Sequence, residues 1–68
     1  MGTWWKIVFA ARRTGAIGIF PLRQEVIVKA DSEEKAIEWA SDDVHDMNLE
    51  TRGIVSVTGP TRTREELL

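Results

Sequence analysis

The chain has 68 residues, no cysteine and a formal net charge of −2. A chain this short buries only about 60% of the surface its unfolded form exposes, and neither a disulfide nor a thiolate-bound metal is there to reinforce it. Its apolar runs are a few residues long, which excludes a membrane-spanning helix; the N-terminus has no signal-peptide core and a cytoplasmic location is expected.

The first strand is expected over Trp4–Arg13 (WWKIVFAARR), dense in aromatic and β-branched residues that suit a half-buried pleat. Period two puts Trp5, Ile7, Phe9 and Ala11 on one face, and Trp4, Lys6, Val8, Ala10 and Arg12 on the other. Thr14–Pro21 (TGAIGIFP) reads as a loop, because Gly15 and Gly18 permit positive φ and Pro21 cannot donate to a ladder. Ile17, Ile19 and Phe20 are unusually apolar for a loop. They are expected to fold over one open end of the core, the alternative being an exposed binding patch.

A second strand is expected at Leu22–Ala30, with Gln24, Val26, Val28 and Ala30 on one face and Arg23, Glu25, Ile27 and Lys29 on the other. Setting Ile7 opposite Val28 and Phe9 opposite Val26 brings the apolar faces together. A helix follows over Asp31–Asn48. Its apolar stripe is Ala36, Ile37, Ala40, Val44 and Met47 at the 3.6-residue period. Asp31 or Ser32 is the expected N-cap, and Asp31 with Glu34 would form a capping-box-like pair. Glu34, Glu38, Asp42 and Asp46 form an acidic stripe at i,i+4 steps, where like charges repel by about 0.2–0.5 kcal/mol per pair. Trp39 lies at the edge of the apolar stripe, towards Asp43 and Asp46.

Gly53–Gly59 is the expected third strand, with Val55 and Val57 facing the core and Ile54, Ser56 and Thr58 facing outward. Residues 1–60 then make one domain, and 61–68 a short charged tail expected to fray, although Thr63 and Glu66 are spaced to open a helical turn. A right-handed crossover leaves the third strand parallel to the second, and it fits best beside the first. The expected fold is α+β: a two-layer ββαβ domain with strand order 2-1-3 and one helix on one face of the sheet.

Charge is segregated along this plan. Residues 1–30 hold Lys6, Arg12, Arg13, Arg23 and Lys29 against Glu25 alone, whereas residues 31–50 hold eight acids against Lys35. Two surfaces therefore compete as binding sites. The uncovered sheet face, with Trp4, Lys6, Arg12, Arg23 and Lys29 among Val8, Ala10, Ile27 and Ile54, suits a homodimer or single-stranded nucleic acid stacking on Trp4. The acidic helix face, with Glu34, Glu38, Asp42, Asp46 and Trp39, suits a basic groove on another protein.

His45 is the lone histidine, and with Asp42 and Asp46 it falls short of the three or four converging ligands a zinc site needs. Ser32, Ser41 and Ser56 have no pocket in which to meet it. The reading is a non-enzyme without metal or cofactor.

The passage Val28, Ala30, Ser32, Glu34, Ala36, Ile37, Ala40 resembles the strand-to-helix transition of small α+β proteins carried by bacteriophages and mobile elements, anti-CRISPR proteins among them. The resemblance spans thirteen residues and is one of fold. It implies a protein-binding inhibitor that occupies a host protein or protein–nucleic-acid complex. The alternatives are a single-strand nucleic-acid binder and a structural homodimer.

Overall fold

The structure is a computed structural model that describes residues 2–68. Its elements are β1 (Thr3–Arg13), β2 (Leu22–Ala30), α1 (Glu33–Asp46), β3 (Leu49–Thr61) and a 3-10 turn at Arg64–Leu67. The strands form one antiparallel sheet in the order β2-β1-β3, with α1 packed on one face. The expected fold is the one observed.

The core lies between that face and the helix. Trp5, Ile7, Phe9 and Ala11 of β1 and Val26, Val28 and Ala30 of β2 are buried, as are Ala36, Ala40 and Val44 of α1. The helix thus brings small side chains and the sheet brings large ones, which lets the helix settle close to the strands. Ile37, Leu49 and Val57 close the margins.

Ser32 is the N-cap, its Oγ accepting from the Lys35 amide at 3.2 Å. That choice starts the helix at Glu33 rather than Asp31. It also makes Lys35, not Glu34, the third helical residue, so the Asp31–Glu34 box does not form. At the other end the helix stops at Asp46, and Asn48 turns the chain at φ 61°. Met47, expected in the apolar stripe, is the C-cap and half-exposed.

The β1–β2 register differs by two residues from the expected one: Ile7 faces Val26 and Trp5 faces Val28. An even slip keeps every side chain on its face, so the core is unchanged. The cause lies at the loop end. β2 begins only after Pro21, so the ladder with β1 ends at the pair Ala11–Leu22, and Arg12 and Arg13 are paired on their β3 edge alone.

β3 departs most from expectation. It runs thirteen residues against the ten from Trp4 to Arg13, and three irregularities absorb the surplus. One falls at Val55, between the pairs Val8–Ser56 and Phe9–Ile54. It reverses the alternation beyond it, because each extra residue flips the side-chain parity. Ile54, expected on the uncovered face, sits opposite Phe9 on the helix side. Val55, expected in the core, is half-exposed. Val57 does pack against the core.

Within 61–68, the expected tail, Arg64–Leu67 form a 3-10 turn. The Glu66 carboxylate accepts from the amides of Arg62 and Thr63 at 3.0 and 3.4 Å, and the turn buries Leu67. At Gly59, φ is +138°, and an added Cβ would lie 2.8 Å from the Trp4 carbonyl oxygen.

Two substitutions test this account. Ile7→Ala, at a fully buried site, is expected to cost about 2–5 kcal/mol in urea unfolding. Gly59→Ala is expected to cost about 1–3 kcal/mol through backbone strain, a loss that a substitution at exposed Gly53 would not reproduce.

Candidate functional site

Three surfaces are built on this frame, and the uncovered sheet face is the first. Its rows follow from the register: Lys29–Trp4–Thr61, Ile27–Lys6–Thr58, Glu25–Val8–Ser56 and Arg23–Ala10–Gly53, with Arg12–Glu50 at the end. The structure therefore does bring Trp4, Lys6, Arg12, Arg23 and Lys29 to one face. Two of the cations are engaged there. Lys6 Nζ lies 3.1 Å from Glu25 Oε1, and Arg12 Nε donates to Glu50 Oε2 at 2.8 Å. Arg23 donates at 3.3–3.4 Å to the carbonyls of Phe20 and Leu22. Trp4 is half-buried in its row.

The second surface is the loop 14–21, which Arg12 organises. Its Nη1 donates to the Gly18 carbonyl at 2.9 Å, and its guanidinium lies over the Phe20 ring, 4.2 Å from the centroid. The other oxygen of Glu50 accepts from the Gly15 amide at 3.4 Å, and Thr14 N donates to the Asn48 carbonyl at 3.1 Å. The loop is fixed at both ends. Even so, Ile17 is 99% and Ile19 79% exposed, so they do not close the end of the core as expected. The pinning turns them outward; only Phe20 folds back, under Arg12. Half-exposed Leu22 and Met47 share a shallow groove with Arg13, Gln24 and Leu49 at the same end.

The hydrogen bond from Arg12, followed by that from Gly15, holds the Glu50 carboxyl below its ordinary value of 4.5. A carboxylate with a depressed folded-state value contributes its stabilisation above the ordinary value and loses it as pH falls through the depressed one. Glu50 has no motif in the sequence that marks it. Its signal was only an acid just after the helix, and its partner, 38 residues earlier, is decided by register.

The third surface is the acidic helix face. Glu34, Glu38, Asp42 and Asp46 are all exposed, and Trp39 is 45% exposed beside them. Among the described residues the only cation within ion-pair reach of a helix acid is Lys35, 3.9 Å from Glu38. His45 is exposed, and no group of three metal-ligating side chains converges among the described residues.

No protein-family model, curated protein or solved structure matches this chain.

The loop latch has a direct test. The Gly15 amide resonance is expected to titrate with Glu50, shifting as pH falls below 4.5. In Glu50→Gln that titration is expected to vanish, with faster amide exchange at Gly15; an unchanged titration would rule out the contact.

Proposed function

We propose that this chain is a non-catalytic protein-binding module whose acidic helix face occupies a basic surface on its partner. The manner is that of the small phage-type inhibitors, anti-CRISPR proteins among them, that its strand-to-helix passage resembles, and the partner class is a host protein or protein–nucleic-acid complex. One observation carries the choice between faces. Lys6 and Arg12 on the sheet are each neutralised by a carboxylate, whereas Glu34, Asp42 and Asp46 on the helix have no cationic partner among the described residues. Unneutralised charge on an exposed face is available to steer and hold a partner of opposite sign. Half-exposed Trp39 supplies the kind of aromatic anchor that dominates many interfaces. Ile17 and Ile19 offer an apolar contact on a loop already held in place, so little ordering cost falls on binding.

The nucleic-acid reading is the weaker one. Of its five residues, two have their charge committed within the molecule, and Trp4 is its single stacking platform.

A tagged-protein pull-down from bacterial lysate, with and without nuclease, checks the proposal against its rival. A protein partner is expected to survive nuclease and to be lost with Glu38→Lys/Asp42→Lys, while circular dichroism of that variant stays unchanged. Retention of the partner by the double variant would exclude the helix face. Recovery of nucleic acid that nuclease or salt removes would favour the sheet face instead.

A further inference from the structure

The two edges of the sheet are not alike. β3 is interrupted by three irregularities and carries Gly53, Gly59 and Pro60. β2 pairs with β1 through nine consecutive residues without a bulge and contains neither proline nor glycine. A straight edge presents a row of free N–H and C=O groups that can template another strand, and proteins usually blunt such edges with bulges, prolines or charges. β3 is blunted by its backbone. β2 has no such break in its backbone; besides local side-chain contacts from Gln24 to the Glu25 carbonyl and from Arg23 to the Leu22 carbonyl it has its charges, and their order decides what can pair there.

Residues directly opposite in an antiparallel pair point to the same side of the sheet. Two copies of β2 related by a two-fold axis normal to the sheet therefore pair about a residue that faces its own copy. Near the middle of the strand there are three such axes. An axis at Glu25 puts two carboxylates together, and one at Val26 sets Arg23 against Lys29. An axis at Ile27 sets Glu25 against Lys29 twice, with Ile27 on Ile27 between them and Val26 beside Val28 on the helix side, and brings Arg23 level with Asp31 in the bend just past the strand's end. Opposite charges across a ladder stabilise it and like charges destabilise it.

We propose that β2 pairs antiparallel with β2 of a second copy about an axis at Ile27, joining two three-stranded sheets into one of six. The side chains it needs are accessible. Arg23, Glu25, Lys29 and Asp31 are exposed, and Arg23, Lys29 and Asp31 have no ion-pair partner among the described residues. Glu25 holds Lys6 through Oε1, which leaves its other oxygen for Lys29 of the second copy. An isologous two-fold interface of this kind makes the commonest oligomer and leaves no open β2 edge. It also carries both helices to the same side, so the dimer displays two acidic faces together. The proposal goes beyond the binding role above and does not depend on it.

Sedimentation equilibrium on the whole chain tests it, using wild type, Lys29→Glu, Glu25→Lys and a 1:1 mixture of the two variants. Lys29→Glu sets carboxylates opposite each other and Glu25→Lys sets ammonium groups opposite each other, so each alone is expected to dimerise roughly tenfold more weakly than wild type, or less well still. In the mixture an acidic edge meets a basic one, and the wild-type affinity is expected to return. Thermal melts by circular dichroism establish that each variant is folded. A wild-type monomer at the highest concentrations reached, variants that dimerise as well as wild type, or a mixture no tighter than its components would each overturn the proposal.

Discussion

Contact between the helix-facing side of the sheet and a helix stripe of two alanines and a valine is what the rest of this molecule rests on. Trp5, Ile7, Phe9 and Ala11 alternate down the central strand, and Ala36, Ala40 and Val44 come down on that layer. The alanines matter for what they lack. With no bulk of their own they let the helix approach the large side chains of the sheet, so a thin two-layer domain still packs closely. The core is correspondingly small: Ile7 and Val44 are the largest side chains fully withdrawn from water. In so short a chain a lost methylene or a strained glycine position takes a large share of the total stability. The final turn adds a small burial of its own, Leu67, outside the helix–sheet cluster.

A thin domain also leaves much of its chemistry outside. One helix covers one sheet face; on the other, Lys6 pairs with Glu25 and Arg12 with Glu50, while Arg23 and Lys29 have no ion-pair partner among the described residues. The Arg12 pair reaches further than an ordinary surface ion pair. The same guanidinium holds the Gly18 carbonyl and the Phe20 ring, and the same carboxylate holds the Gly15 amide. A loop that glycine alone would leave loose is fixed with two isoleucines facing water. Exposed apolar groups on that loop and acids without a cationic partner on the helix are the two features on which the proposed binding role rests.

Most of the architecture could be read from the residues because it depends on short-range periodicity. Alternation in WWKIVFAARR and LRQEVIVKA names the buried faces, and the spacing of Ala36, Ile37, Ala40 and Val44 names the helix. The errors cluster where one element's fate depends on another distant in sequence. Asp31 and Ser32 are equally good caps as isolated side chains, and the choice is made by where the helix must begin to reach the sheet. The parity of Ile54 and Val55 is lost because the bulge beside them arises only when thirteen residues of β3 are fitted along ten of β1. Hydrophobicity alone turns Ile17 and Ile19 inward; it takes no account of the latch between Arg12 and Glu50.

The candidate surfaces divide in the same way. The acidic stripe at Glu34, Glu38, Asp42 and Asp46 is a property of i,i+4 spacing on any helix formed here, so composition and period were enough to place it. The five residues of the sheet face were likewise grouped correctly by alternation. Which charges on the sheet face remain free was decided by tertiary structure, whereas the one pair on the helix, Lys35 with Glu38, is local. Pairing of Arg12 with Glu50 joins residues 38 apart, and only the β1–β3 register brings them within 2.8 Å. Within an unbroken stretch of strand or helix, local periodicity fixes the direction in which a side chain points; the meeting of two strands fixes what it finds there and, at a bulge, the direction as well.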